Sequence, residues 1–300
     1  MRTWAVSDTP SFPSLLAFKA GMTHIGLIDD SDSPSKGQEI IRPVTALVFP
    51  KIFVYGARFY RKGYLYKEAA GSVYDKALAL KLGMKAAKST STEEAKKNLK
   101  NYTDITILAF ADPVGLNIGI KKQIRFEMPC GGKSIEEKFA FIESKLGKEL
   151  KSTDVLAPGE FVDVIAVTKG KGWEGPIKRF HFPKQGHKAT GKIRHVPILG
   201  SWHPAKVMFT AHLAGSLGFN YRTELNKKVM KLGSAQDANT VTPSGGFLHF
   251  GNIKGDYVLL NGSVPGPAKR LVRIRKALRS KGKVTVPKIA YISTASKQSA

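Results

Sequence analysis

Five of the seven histidines lie in one basic stretch of the chain, where histidines this close together could bind a metal ion. They are His181, His187, His195, His203 and His212. No two of them are four residues apart, as a zinc-binding pair on a helix would be, and the chain has a single cysteine. Carboxylates that could orient metal-bound imidazoles are nearly missing from the stretch. We therefore predict no metal site and interpret these histidines as groups that stack on bases or donate to phosphates.

Cys130 is the other candidate for chemistry, as a nucleophile. A lone cysteine is more often a small buried hydrophobic residue, and the sequence has no nucleophile elbow or two-histidine helix. The single cysteine also excludes an internal disulfide and is typical of a reducing cytosol. We predict that the protein is not an enzyme, has no cofactor and takes no small-molecule substrate. A metal- or nucleotide-dependent enzyme acting on RNA, through the histidines or Cys130, stays open as an alternative.

Two glycine-rich runs are similar to nucleotide-binding motifs. Gly170 to Gly175 fits the Gly-x-Gly-x-x-Gly pattern, but a dinucleotide site requires a helix to begin there, and the residues from Pro176 onward give no helix signal. Gly131 to Ser134 is similar to the end of a phosphate-binding loop, but Glu127 stands where that loop requires a glycine. The first run instead suits close approach of the backbone to phosphates. The second predicts a turn and a helix N-cap.

The charge of the chain indicates its class of partner. The formal net charge is +25 and the sequence pI is about 10.0. Between Val164 and Gln236 only Glu174 and Glu224 are acidic. Such a segment buries too little apolar surface to offset the entropy of its own ordering, so we expect it to require a polyanion.

Nucleic acid and an anionic membrane are the two candidate polyanions, and the sequence favours the membrane less. The longest apolar runs, such as Thr106 to Phe110, are strand-sized, whereas a transmembrane helix requires about 20 residues. Glycine and proline interrupt any long amphipathic helix in the basic stretch. Asp8, Pro10 and Pro13 break any secretory signal near the start of the chain. We therefore expect nucleic acid and no membrane.

Trp202 is the aromatic residue whose setting is most informative. Tryptophan is usually a core residue, and that interpretation holds for Trp202 taken in isolation. Gly200 and Ser201 precede it, however, and His203 and Pro204 follow it, with cations on both sides. An indole at the end of a turn among cations is typical of a nucleotide-stacking element. Trp173 shows a weaker form of the same pattern, and Trp4 is uninformative.

The elements that must hold these residues are mainly β-strands. The hydrophobic share of 42% is sufficient for a real core. Short runs rich in Val, Ile, Phe and Tyr, bounded by turn residues, predict nine strands. They cover 22–29, 43–49, 53–60, 105–111, 123–128, 161–168, 246–250, 257–260 and 271–274. Regular βαβ alternation is absent over most of the chain, which favours an antiparallel sheet or small barrel over a doubly wound fold.

Helical patterns are confined to residues 67–150. Ser134 to Glu137 spells a capping box, and Ile135, Phe139, Ile142 and Leu146 follow at helical spacing. Residues 75–82 and 92–99 are also predicted to be helical. We interpret this region as an α+β insertion in a β-rich body.

Several strings in the sequence resemble one family, the universal large-subunit ribosomal protein L-three family. They are Phe18 to His24, Thr168 to Gly172, Gly200 to Ala205, Tyr221 to Lys228, Gly245 to Phe247, and Gly262 to Pro267 continuing into Lys269 to Arg273. The strings occur in order from about Ala17 to Arg275 and so cover most of the chain. The helical insertion and the Trp-His-Pro motif are similar to the archaeal and eukaryotic branch of the family. The short C-terminal tail is more similar to archaeal than to eukaryotic members.

This resemblance implies a fold and a division of the chain. The fold would be a small closed antiparallel barrel of six strands, related to the second domain of translation factors, with a long irregular basic extension. The division would be an irregular N-terminal segment (1–16), a barrel body (17–66, 151–167 and 236–293), an α+β insertion (67–150), the extension (168–235) and a frayed tail (294–300). The N-terminal segment departs from the family pattern, because it has no basic cluster.

The resemblance also implies a function and a set of contact residues. Family members bind large-subunit rRNA beside neighbouring ribosomal proteins in the cytoplasmic ribosome, support early subunit assembly and organise RNA near the peptidyl transferase centre, with Trp202 at the tip of the extension. The expected rRNA-binding residues are Lys19, Lys169, Lys171, Lys178, Arg179, His187, Lys188, Lys192, Arg194, Trp202, His203, Arg222, Lys227, Lys228, Lys269, Arg270 and Arg273. A free protein that compacts duplex DNA is a third hypothesis.

Overall fold

The computed structural model describes residues 7–63, 67–84, 91–116, 118–188, 191–196, 198–280, 282 and 284–298. Within these residues the chain forms two compact units, 1–166 with 223–300, and 167–222. Trp4 lies outside the described residues. We call residues 167–222 the basic unit and the remainder the larger unit.

The described residues form fourteen strands, so the predicted mainly-β class is confirmed. In chain order they are β1 Ser14–Ile28, β2 Glu39–Val48, β3 Lys51–Lys62, β4 Lys67–Tyr74, β5 Asp104–Asp112, β6 Ile124–Pro129, β7 Glu149–Leu150, β8 Phe161–Val167, β9 Gly170–Glu174, β10 Gly215–Gly218, β11 Tyr221–Gly233, β12 Tyr257–Asn261, β13 Leu271–Lys276 and β14 Lys288–Ile292.

Four short α-helices accompany these strands. They are α1 Lys76–Lys81, α2 Thr92–Lys97, α3 Ile135–Lys145 and α4 Pro176–Phe180. The first three confirm the predicted helices and begin at side-chain caps: Asp75, Ser91 in a full capping box with Glu94, and Ser134. Each cap satisfies backbone N–H groups that have no partner within the helix. Phe139 and Ile142 of α3 are buried, as their spacing predicts.

The main sheet has the strand order β13-β8-β11-β12-β2-β1-β14, and β13 also pairs with β1. The fifteen residues of β1 allow this double use. Its first part, from Ser14 to Phe18, pairs with β13, and its last part, from Ile25 to Ile28, pairs with β14. Its opposite edge pairs antiparallel with β2 along most of its length.

A second sheet contains β4, β3, β5 and β6 in that order, with β7 also paired to β3. The largest hydrophobic cluster takes side chains from both sheets and from α3, among them Leu15, Ile107, Phe139 and Val164. The region predicted as an insertion therefore shares a core with the β-strands of the body. Burial of this apolar surface is the main force that stabilises the larger unit.

Eight of the nine predicted strands overlap observed strands. The remaining prediction, a strand at 246–250, is wrong. Gly245 and Gly246 both have positive φ, and the chain turns so tightly that Phe247 and Gly251 form an isolated bridge. Glycine adopts such backbone angles without steric cost, so this run is a turn and not a strand. The ring of Phe247 packs against Gly21, where an added Cβ would lie 2.4 Å from its Cδ1 atom.

The strands β4, β7, β9, β10, β11 and β14 were not predicted. The many basic residues of β11 mask the usual sequence pattern of a strand, although β11 pairs with β12 from Val229 to Gly233. The helix α4 was also missed, because the residues from Pro176 onward were interpreted as giving no helix signal. Proline is well tolerated at the first position of a helix, where its missing N–H has no partner to lose, and Pro176 occupies that position.

The basic unit has its own small framework. Strands β9 and β10 form an antiparallel pair with Trp173 opposite Ser216 and Gly170 opposite Gly218. The Arg179 side chain of α4 donates a hydrogen bond to the carbonyl oxygen of Leu213 at 2.9 Å. No helix among the described residues is long and apolar enough to cross a membrane.

Candidate nucleic-acid interface

The basic unit carries ten lysines and arginines and one acidic residue, Glu174. Most of the cations predicted as rRNA contacts are exposed here, and Arg179 is half-buried. The exposed ones are Lys169, Lys171, Lys178, Lys188, Lys192, Arg194 and Arg222, together with His187 and His203. Among the described residues of this unit, one ion pair is present, between Lys178 and Glu174 at 3.2 Å. The unit therefore presents nearly uncompensated positive charge.

Trp202 is 89% exposed, so the core interpretation of this residue is wrong. It follows Gly200, whose φ of 137° is available chiefly to glycine, and Ser201, whose hydroxyl donates to the carbonyl oxygen of His203. The turn therefore holds the indole away from neighbouring side chains. An uncovered aromatic ring among cations is suited to stacking on bases.

Further apolar side chains near Trp202 are also exposed, and sequence reasoning missed them. Phe209 is 94% exposed, and Ile198, Leu199, Val207 and Met208 are exposed as well. Lys206, in the same stretch, is an exposed cation that was not predicted as a contact. The signal that could have found these residues is the lack of acidic residues around them, which extends past Trp202 to Glu224.

The structure does not gather the histidines of the basic unit into a metal site. The ring of His212 contacts Phe180 and Phe182 edge-on, with centroid distances of 4.6 and 5.1 Å. In the described part of the chain, no group of three or more His, Cys, Asp or Glu side chains could hold a metal ion. His212 thus serves local packing, and His187, His195 and His203 are exposed.

The larger unit engages several predicted contact residues internally. The Lys19 ammonium donates to the carbonyl oxygens of Val264 and Gly266, and one Arg273 Nη atom donates to the carbonyl oxygen of Glu127 at 2.7 Å. Lys269 is exposed and Arg270 is half-buried. Lys19 and Arg273 therefore hold the chain around β13 in place, which the sequence motif alone does not indicate.

Lys227 and Lys228 on β11 are also paired within the larger unit. The Lys227 Nζ atom lies 2.7 Å from a carboxylate oxygen of Glu224. The Lys228 Nζ atom lies 2.9 Å from Thr285 Oγ1 and 3.6 Å from Asp30 Oδ2. The pKa of Asp30 is lowered, chiefly by a hydrogen bond from Thr285 and further by the charge of Lys228. Both lysines therefore have structural roles that sequence reasoning missed.

Asp163, a fully buried carboxylate on β8, fixes the position of β11 at Asn226. It accepts hydrogen bonds from the Arg275 guanidinium at 3.1 and 3.2 Å and from the backbone N–H of Asn226 at 3.1 Å. Asn226 has a φ of 56°, a left-handed conformation that asparagine tolerates better than most residues. A buried charge of this kind is stable only with such partners.

The remaining motifs carry no catalytic geometry in the described residues. Gly170 to Gly175 forms strand β9 and the residue before α4, so its glycines do not open a phosphate-binding helix in the manner of a dinucleotide fold. Gly131 and Gly132 precede the N-cap of α3, as predicted. Burial raises the pKa of the Cys130 thiol to about 12, so Cys130 is a poor nucleophile at neutral pH.

A mainly-β framework with an exposed, cation-rich and aromatic segment defines a nucleic-acid-binding class of protein. The sequence model of the family described as Ribosomal protein L3 matches residues 6–299 of this chain. The chain belongs to the ribosomal protein L3 family, which is a structural ribosomal component and not an enzyme. The predicted resemblance, including its archaeal branch, is confirmed.

Curated relatives agree along almost the entire chain. The large ribosomal subunit protein uL3 of Methanothermobacter thermautotrophicus is 39% identical, covering 99% of this chain and 92% of the relative. Those of Methanobrevibacter smithii and Methanocaldococcus jannaschii are each 40% identical. They cover 99% of this chain and 92% and 91% of the relatives, respectively.

Proposed function

We propose that this chain is a structural constituent of the large ribosomal subunit that binds large-subunit rRNA mainly through its basic extension. The observation that carries the proposal is the exposure of Trp202, at 89%, in a unit with ten lysines and arginines and one acidic residue. Family membership gives the ribosomal setting in the cytoplasm, with neighbouring large-subunit proteins as further partners.

The body of the larger unit is, in this proposal, a closed barrel related to the second domain of translation factors. The order β13-β8-β11-β12-β2-β1, together with the pairing of β13 with β1, supports a ring of six strands. In this proposal the chain divides into the N-terminal segment 1–16, the barrel body 17–66, 151–167 and 236–293, the insertion 67–150, the extension 168–235 and the tail 294–300. The antiparallel pairings of β1, β2, β12 and β13 support the body.

The contact residues divide into two groups by what their charges do. Cations of the extension, all of them exposed except the half-buried Arg179, neutralise phosphates and release counterions, which gives affinity without reading sequence. This first group is Lys169, Lys171, Lys178, Arg179, His187, Lys188, Lys192, Arg194, His203 and Arg222. The second group, Lys19, Lys227, Lys228, Lys269, Arg270 and Arg273, lies around β11 and β13, where several members also hold the fold.

Trp202 is the tip of the extension and stacks or packs on splayed bases near the peptidyl transferase centre. The protein affects peptide-bond formation indirectly, through the position of rRNA helices, and it acts early in subunit assembly. The described residues between 182 and 212 form no strand or helix, and most of their side chains are exposed, so we expect this part of the extension to become ordered when RNA surrounds it. Hydrogen exchange of the free chain tests this: strong protection across 182–212 would contradict it.

Binding to ribosomal RNA is tested by cosedimentation and salt titration. The native protein should cosediment with the large subunit after a high-salt wash. Binding to single-stranded rRNA should weaken with a log–log salt slope of roughly −0.7 per neutralised phosphate. At matched, near-physiological salt the chain should prefer large-subunit rRNA over duplex DNA. Equal affinity for both would favour a DNA-compaction protein instead.

A further inference from the structure

Trp173 is a second exposed indole in the basic unit, at a place distinct from the Trp202 turn. It lies in the paired strand β9, yet it is 78% exposed. Its partner across the pair is Ser216, and its neighbours in sequence include Gly172. A Cβ atom added at Gly172 or at Gly175 would meet no heavy atom within 4 Å. Small neighbours thus leave the indole uncovered on a paired strand.

Cations surround this indole in the chain. Lys169 and Lys171 are exposed, and Lys178 is exposed beside Glu174, its partner in an ion pair. Lys171, Lys178 and His181 also line one open groove of the unit, together with Glu174, whose carboxylate is paired with Lys178. An aromatic face with ammonium groups two to four residues away matches the composition of a nucleotide, which has a flat base and a phosphate on each side.

We propose that Trp173 stacks on an unpaired base of RNA while Lys169 and Lys171 contact the flanking phosphates. The inference rests on the proposed function, since it assigns a further base contact to the same extension. RNA is favoured over an apolar protein surface because a protein docking here would have to match the cations with carboxylates. Every nucleotide, in contrast, carries its own phosphate.

The test distinguishes the contribution of base stacking to RNA binding from the contribution of phosphate contacts. Binding of the full-length chain is measured with a single-stranded adenosine RNA and with an abasic oligomer of the same length and phosphate number. Trp173→Ala should weaken binding to the adenosine RNA about 5- to 150-fold, as expected for loss of one stacked base, and leave binding to the abasic oligomer unchanged. Trp173→Phe should retain most of the affinity. Lys171→Gln should weaken binding to both oligomers and flatten the salt slope by about 0.7.

Two controls keep this inference separate from the proposed function. Wild-type binding to large-subunit rRNA tests the proposed function, and a chain that fails there contradicts both ideas. If the wild type binds rRNA and Trp173→Ala binds the adenosine RNA equally tightly, the Trp173 inference alone is wrong. Equal losses on the adenosine and abasic oligomers would also contradict stacking. A lowered melting temperature of Trp173→Ala would assign the indole to internal packing and overturn the inference.

Discussion

The two compact units use the same kinds of side chain in opposite ways. In the larger unit Phe18 and Phe59 are fully buried at 0% exposure, whereas in the basic unit Trp202 and Phe209 are 89% and 94% exposed. Lysines differ similarly: Lys228 of the larger unit contacts Thr285 and Asp30, whereas Lys188 of the basic unit is exposed. The larger unit uses its apolar and charged groups for its own stability, and the basic unit keeps its groups accessible to a partner.

Removing one aromatic ring from each unit is the strongest way to break this comparison. Phe18→Ala deletes a fully buried ring of β1, at a position that pairs with both β2 and β13, and should cost about 3–5 kcal/mol of the free energy of unfolding. Phe209→Ala is the matched control and should change it by less than about 0.5 kcal/mol, because that ring is exposed. Urea unfolding of both variants measures the difference. Similar losses for the two rings would show that the basic unit has a core of its own.

The buried carboxylate of Asp163 should have the next largest effect. Asp163→Ala leaves the Arg275 guanidinium, which is also buried to a large degree, without its carboxylate partner. The expected loss is roughly 3 kcal/mol, since breaking a buried pair exposes an uncompensated charge to a low-dielectric interior. Glu174→Ala, which breaks the ion pair with Lys178 in the basic unit, is the control and should cost under about 1 kcal/mol. Chemical denaturation of both variants decides whether Asp163 anchors β11.

Much of the larger unit could be predicted from the sequence because its signals are local. Caps at Asp75, Ser91 and Ser134 and short apolar runs mark their own elements. β11 could not be predicted in this way, since its lysines obscure the strand and its pairing with β12 depends on residues distant in sequence. Tertiary pairing overrides local composition at such places.

The candidate site shows the same division. The charge imbalance correctly predicts an exposed basic segment, and the turn around Trp202 correctly predicts an exposed indole. The sequence does not reveal that Lys19 donates to Val264, because that contact joins residues 245 positions apart. A lysine in a family motif therefore has the same appearance in sequence whether it binds RNA or holds a loop.

Lys228→Gln sharpens the comparison between structural and accessible lysines. It removes a cation that contacts Asp30 and Thr285, so we expect a loss of about 0.5–1 kcal/mol in unfolding free energy. Lys188→Gln should leave stability unchanged and should flatten the salt dependence of rRNA binding. Denaturation and salt titration are measured on both variants. If Lys228→Gln flattens the salt slope as much as Lys188→Gln, Lys228 also contacts phosphate.

The pH dependence of stability should show a smaller effect from the same group of residues. Because the folded-state pKa of Asp30 is lowered, its stabilising contribution is present above its ordinary pKa of 3.8 and is lost as pH falls through the folded value. The difference in stability between the wild type and Asp30→Asn should therefore be full at neutral pH and should shrink in acid. Asp32→Asn, at a carboxylate that is 80% exposed, is the control. A difference that grows on acidification would contradict the lowered pKa.

Trp202→Ala should have the smallest effect on folding and so gives the comparison its most demanding test. With 89% of the residue exposed, its removal should change the unfolding free energy by less than about 0.5 kcal/mol. If Trp202 stacks on bases as proposed above, the same variant should perturb translation on assembled ribosomes, because that stacking surface is then lost. Thermal melts of the free chain and translation by purified ribosomes provide the two measurements. A stability loss above about 1 kcal/mol would assign the indole to internal packing, and unchanged translation would remove it from the contact surface. Since a structural role and a binding role predict opposite outcomes in the two assays, this single residue tests whether accessibility in the basic unit serves a partner.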